Sequence, residues 1–319
     1  MTRGDNVRNS GPEQQCASSV LMIRPTTFYS NPESLSTNAF QRAVQAPRVD
    51  TLAAALAEFD AAASALADAG IDVIVAEADA TADAPDALFP NNWFSTHADG
   101  RIALYPMSVP NRRQERRPAL LQSIAAQREL AIHSIVDLSV LEHQSLFVEG
   151  TGSLILDRPH RLAYACRSPR TQDAAVEAFC EAFGYRSVIF DAHDEAGRPI
   201  YHTNVIMSVG SALAVLASGL IAPGAGLRRV FDALEASGKT LLDLSAEQVN
   251  EFAGNILFLE GSAGPVVAIS RRALASLSRA QRLLLEQHAR PVVCGVETIE
   301  LLGGGGIRCM LAELFLPYA

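Results

Sequence analysis

Residues 146–156, LFVEGTGSLIL, and residues 257–269, LFLEGSAGPVVAI, share one layout: an apolar strand, Glu-Gly, a turn of small residues and a second apolar strand. Residues 204–217, NVIMSVGSALAVLA, form a further strand–turn–strand unit. Units of this kind joined by helical stretches predict a pseudo-repeated α/β architecture with mixed sheets. The pattern alone leaves open that hairpins simply resemble one another.

Outward from these units, the same alternation fills the chain. Residues 51–69 read as a helix, because the stretch is rich in alanine and places Leu52, Leu56, Phe59 and Leu66 near one face before Gly70 stops it. Further helices are predicted at 114–128, 171–183, 227–236, 245–251 and 271–288, between strands such as VLMIRP (20–25), RIALYPM (101–107), SLFVEG (145–150), RLAYAC (161–166) and PVVAIS (265–270). Residues 1–18, rich in Gly, Ser, Asn and Gln, read as a mobile leader, and the length prior allows one large domain or two small ones.

Composition bounds the class. The 319 residues are 49% hydrophobic and 19% charged, which excludes disordered, collagen-like and coiled-coil chains. A chain this long buries enough apolar surface to need no disulfide or metal staple. The net charge of −9 argues against a nucleic-acid partner. No apolar run approaches the roughly 20 residues of a membrane span, and MTRGDNVRNSGPEQQ lacks the apolar core of a signal peptide. Five scattered cysteines without a CxxC fit a reduced compartment, read as cytoplasm.

The polar residues concentrate in FPNNWFSTH (89–97), NRRQERR (111–117), FVEGTGS (147–153), RSPRT (167–171), YHTN (201–204) and GGGGIRC (303–309). Cys309 is the sharpest candidate nucleophile. Four glycines precede it, and Arg308 beside the thiol favours the thiolate. A buried structural cysteine is the alternative, and Cys16, Cys166, Cys180 and Cys294 are read that way. A thiol nucleophile needs a proton shuttle, for which His202 is first among seven histidines and His97 second. Glu149 and Glu260 each stand before a glycine at a strand end, so one of them serves structure. Arg112, Arg113 and Arg170 are candidates to grip a carboxylate, since Arg presents a bidentate fork. No metal-ligand spacing and no nucleotide loop is present, so neither a metal nor another cofactor is expected.

Taken together and in order, these segments resemble the guanidine-modifying (pentein) superfamily, from about residue 20 onward. The resemblance implies a single catalytic domain over 19–319, a five-bladed α/β propeller of ββαβ-type units around a central site. It assigns Cys309 as the nucleophile, His202 as acid and base, and Glu149 as the carboxylate that binds a substrate nitrogen and supports the histidine. Asn91, with its neighbour Asn92, matches the asparagine of the PN segment. Arg170, and either Arg112 or Arg113, would hold a substrate α-carboxylate, with Arg308 beside the thiol. The implied partner is a small amino-acid substrate, and a homo-oligomer is compatible with the pattern.

Two positions depart from the arginine deiminases, which carry aspartates where this chain has His97 and Asn204. Both aspartates contact a guanidinium, so their loss leaves a buried cation less compensated. His and Asn can donate to and accept from a neutral ureido group. The expectation is therefore hydrolysis of L-citrulline to ornithine, carbon dioxide and ammonia. The alternative is arginine or methylarginine hydrolysis, or amidino transfer, within the same superfamily.

Overall fold

The structure is a computed structural model that describes residues 13–43 and 47–319, and among these residues the strands pair into five sheets of three. The first sheet holds β1 (Ser19–Arg24) and, after helix α1 (Arg48–Asp68), β2 (Asp72–Glu77). The second holds β3 (Phe94–Thr96), β4 (Arg101–Leu104), helix α2 (Pro118–Gln127) and β5 (Ser134–Asp137). The short helix α3 (Gly150–Ser153) opens the third, followed by β6 (Leu154–Asp157), β7 (Leu162–Cys166), α4 (Asp173–Phe183) and β8 (Arg186–Phe190). The fourth is β9 (Met207–Val209), β10 (Leu213–Leu216), α5 (Ala225–Ala236) and β11 (Thr240–Asp243). After α6 (Ala246–Asn250), the fifth is β12 (Leu257–Gly261), β13 (Gly264–Ser270), α7 (Arg271–Ser276), α8 (Arg279–His288) and β14 (Arg290–Cys294). Finally α9 (Glu297–Gly303) leads to β15 (Ala312–Glu313).

Every sheet has the same wiring. Two strands pair antiparallel, a helix crosses over, and the third strand lies parallel to the second. In the first sheet β15 takes the place of the opening strand: it pairs antiparallel with β1, Val20 opposite Glu313, while β1 runs parallel to β2. Five ββαβ units in sequence thus form the five-bladed α/β propeller of the pentein type.

The units are held together by their helices. Phe59 and Leu66 of α1 pack with Val292 and Cys294 of β14 in the neighbouring unit. Val230 and Leu234 of α5 join Val188 and Phe190 of β8. Phe179 and Phe183 of α4 stack near His97 at the end of β3. Each such fully buried aromatic or leucine contributes roughly 2 kcal/mol of transfer free energy. This arrangement brings the segments that enter the first strand of each unit to one place: the turn Pro90–Asn92 touches α3 and the turn Ile307–Met310, and α3 touches the turn Thr203–Val205.

Several sequence expectations change in detail. Residues 145–150 are not a strand, and only Val148 makes an isolated bridge, to Thr171. Glu149 instead precedes α3, so LILD of β6, not LFVEG, is the equivalent of LFLEG in β12. The predicted helix over 271–288 is two helices, because Ser278 caps α8 with Gln281 in a capping box. Residues 15–17 of the expected leader are buried, and residues 1–12 lie outside the described residues. Gln15 donates to the carbonyls of Leu156 (2.9 Å) and Val209 (3.0 Å) and accepts from the Arg158 amide, tying the segment to two units. No described helix is long and apolar enough to cross a membrane.

Candidate active site

Cys309 sits in the turn Ile307–Met310, at the entry to β15, and is 4% exposed. The glycines before it are required by what surrounds them. A Cβ on Gly303 would lie 2.7 Å from the Phe89 ring. Gly304 has φ +65°, and a Cβ there would meet Asn38 Nδ2 at 2.5 Å. Cys309 Sγ accepts from the side-chain amides of Asn204 (3.4 Å) and Asn255 (3.3 Å). Burial pushes the thiol up, opposed by Asn255, Arg308, Asn204 and Arg112.

His202 lines the same cavity as Cys309. Its Nε2 is 2.8 Å from Glu149 Oε2, while Glu149 Oε1 accepts from the Ser108 amide at 2.9 Å. Glu149 is fully buried, with Arg170 Nη1 at 3.5 Å and Arg112 Nη1 at 4.0 Å. Burial alone would raise its pKa, but Arg170, His202 and Arg112 outweigh burial and hold it at about 2. Burial lowers His202 against the pull of Glu149, so the imidazole is neutral. With Nε2–H donated to the carboxylate, Nδ1 keeps the free lone pair.

Two arginines complete the cavity. Arg112 is 3% exposed, bonds both oxygens of Glu115 (2.8 and 2.9 Å) and donates to Asn92 Oδ1 (3.0 Å). Arg170 is 2% exposed, donates to Thr37 Oγ1 and lies 5.3 Å over the Tyr201 ring. Ser34 and Asn38, from the segment after β1, also line the cavity, and Asn38 donates to the Gly303 and Gly304 carbonyls. Among the described residues no cluster of three His, Cys, Asp or Glu is arranged for a metal ion.

Of the residues singled out by sequence, the structure gathers Cys309, His202, Glu149, Asn92, Arg112, Arg170 and Asn204. Four others lie elsewhere. His97 is buried against Phe183, with ring centroids 4.2 Å apart, and its Nε2 meets Ser95 Oγ at 3.0 Å. Burial drives its pKa well down, so it is a neutral core histidine between two units. Arg113 donates to the Met107 carbonyl and pairs with Glu142. Arg308 points to Leu311 O and Glu313, among residues lining a different cavity. The Asn91 side chain is buried without a hydrogen bond among the described residues and does not line the cavity.

Sequence reading missed Asn255, Asp86 and Tyr201. Asn255 had a signal: it stands just before the β12 stretch, as Asn204 stands just before the stretch of β9. Asp86 had none, being one of several aspartates in a loop. It is 3% exposed and lines the cavity; Oδ2 accepts from Asn31 (2.8 Å) and lies 3.6 Å from Arg112 Nε, while Oδ1 has no partner among the described residues.

The position of Gly152 makes a test of this geometry. A Cβ there would fall 2.4 Å from Asn92 Nδ2 and 2.9 Å from His202 Nδ1. Gly152→Ala is expected to lower kcat/KM about 100-fold by displacing the imidazole, since a misplacement near 1 Å has that effect. Steady-state kinetics on the folded variant would check it; an unchanged rate would mean that His202 is not held from this side.

A family model for eukaryotic N,N dimethylarginine dimethylhydrolase matches residues 24–316. No curated protein matches the sequence. Among solved structures, the N-terminal domain of ArgZ, an arginine dihydrolase of cyanobacteria, superposes with a TM-score of 0.71 at 14% identity, covering 94% of this chain and 99% of that one. Unliganded AgrE gives 0.72 at 15% identity over 94% of this chain, which spans only 40% of AgrE. A dimethylarginine dimethylaminohydrolase in adduct with S-methyl-L-thiocitrulline gives 0.64 at 12% identity, covering 93% and 100%. Identities this low speak to fold, and the family match reaches across nearly the whole chain. The chain therefore belongs to the N,N dimethylarginine dimethylhydrolase family, among the cysteine-dependent hydrolases of the guanidine-modifying pentein superfamily that act on guanidino carbon–nitrogen bonds.

Proposed function

We propose that the protein hydrolyses a side-chain carbon–nitrogen bond in a free amino acid bearing a guanidino group. The observation that carries this reading is the meeting of Cys309, His202 and Glu149 with Arg112 and Arg170 in one buried cavity. Cys309 Sγ passes its proton to the free Nδ1 of His202 as it attacks the central carbon, and the C–N bond to the departing amine breaks as His202 hands that proton to the leaving nitrogen. His202 then takes a proton from water, which displaces the thiolate and frees the carbonyl product. Glu149 holds the imidazole, and Arg112 or Arg170 receives the α-carboxylate. Five free cysteines support a cytoplasmic setting.

The choice of a guanidino substrate departs from the citrulline expectation. That expectation rested on two lost carboxylates, but His97 lies outside the cavity and so takes no charge from it. Asp86 adds a buried carboxylate with an unpartnered oxygen, suited to a cationic group. The relatives named above as arginine and dimethylarginine hydrolases support the same choice. A second reading, L-citrulline hydrolysis, is favoured by the two amides, Asn204 and Asn255, that face the sulfur where a carboxylate would suit a guanidinium.

Product analysis separates the two. Purified enzyme would be given arginine, N-methylated arginines and citrulline separately, and citrulline, ornithine, ammonia and methylamines quantified. Consumption of the guanidino compounds is expected, with Asp86→Asn raising their KM about tenfold or more. Citrulline consumed with arginine untouched would replace the first reading by the second. If none is consumed, both fail.

A further inference from the structure

A cavity of about 440 Å³ lies apart from the catalytic one. Tyr201 stands between the two, lining both, with its hydroxyl donating to the Gly304 carbonyl at 2.7 Å. At the buried end of this second cavity is Glu300 of α9. It is 0% exposed, and among the described residues neither carboxylate oxygen has a hydrogen-bond partner of full geometry, the Ser270 hydroxyl lending it only a weak contact. The nearest cation, Arg272 Nε, is 3.7 Å away and already pairs with Glu251 at 2.8 Å. Burial pushes Glu300 up to about 7. A buried carboxylate left in this state is costly unless something cationic reaches it.

The rest of the cavity suits the other end of such a cation. Its mouth carries Arg42 and Arg198, both exposed, with Asp194 beside Arg198 at 2.7 Å. Between mouth and floor lie Phe40, Phe252 and Leu301, an apolar stretch for methylenes and an aromatic face for a cation. A carboxylate at the floor, a short apolar middle and guanidinium and carboxylate groups at the mouth match one chemical class.

We infer that this cavity is a second binding site for a basic amino acid, with its side-chain cation on Glu300, its α-carboxylate on Arg42 and Arg198, and its α-ammonium near Asp194. The site also lies behind the nucleophile. A Cβ at Gly306 would be 3.4 Å from Glu300 Oε1 and 2.9 Å from Asn255 Oδ1, and Asn255 holds the Cys309 sulfur.

Titration calorimetry with L-ornithine on the full chain carrying Cys309→Ala tests this, because that protein cannot turn over. The expected result is a saturable event that E300Q weakens about tenfold or more and R198A about fivefold, while R170K leaves it unchanged. L-norvaline, which lacks the side-chain amine, should show no Glu300-dependent binding. Arg198 is exposed, so R198A keeps the test open if E300Q fails to fold. Ornithine binding insensitive to both E300Q and R198A, or no saturable binding, would overturn the inference.

Discussion

Cys309→Ala is expected to reduce turnover by at least about 10⁴-fold while leaving the protein folded. The other cysteines offer no substitute. Cys16 is pushed up to about 11 and Cys166, Cys180 and Cys294 to about 12, in each case chiefly by burial. Cys309 alone has two amide donors on its sulfur and faces the cavity shared with His202. Its thiol is still raised by burial, so the wild-type rate should climb as pH rises toward the thiol range and thiolate accumulates. Turnover of the variant, with its far-UV circular dichroism as the folding control, decides the matter. A variant retaining more than about 1% of the wild-type rate would mean that the covalent route is wrong.

Glu149→Gln should affect both chemistry and stability. Its carboxyl titrates at about 2 in the folded protein against 4.5 ordinarily. The depressed value means that its stabilisation is fully present above pH 4.5 and is lost as pH falls toward 2. A shift of that size corresponds to something on the order of 3 kcal/mol. The variant should therefore melt several degrees lower at pH 7, with the gap to wild type closing as the pH is lowered through 4.5 to 2. The rate should fall about 10³–10⁴-fold, as when a histidine loses its orienting carboxylate. Thermal unfolding of both proteins between pH 2.5 and 7 would check this. A gap that does not change with pH would show that the ionised carboxylate is not what stabilises the fold.

The fold was legible in outline because the hairpin strands are short apolar runs. β1, β4, β6, β7, β10, β12 and β13 announce themselves in this way. The third strands are harder to see. β5 has no buried residue and β11 buries only Leu242, while β3 and β15 are two or three residues long. The repeated Glu-Gly was misleading in register, since Glu149 lies before a strand and Glu260 within one. At the site, Cys309 and Glu149 were readable because rare side chains beside glycines mark irregular backbone, and His202 because it leads a polar Thr203–Asn204 pair into an apolar strand. His97 misled for the opposite reason: a polar residue at a strand end can be turned inward against Phe179 and Phe183 as easily as toward a ligand. Asp86 and Glu300 gave no local signal, because their importance comes from burial without a partner, which only tertiary packing creates.

The pairing of β1 with β15 has a consequence in time. Val20 and Glu313 are partners across almost the whole sequence, and Cys309 lies three residues before the strand that makes this pair. Contacts of such sequence separation form slowly, because the intervening chain must be ordered first. During synthesis β1 therefore waits with an unpaired edge until the segment carrying the nucleophile has emerged. Closing the ring and housing the thiol are then a single event, so a nascent chain holds no assembled nucleophile before its blades are in place.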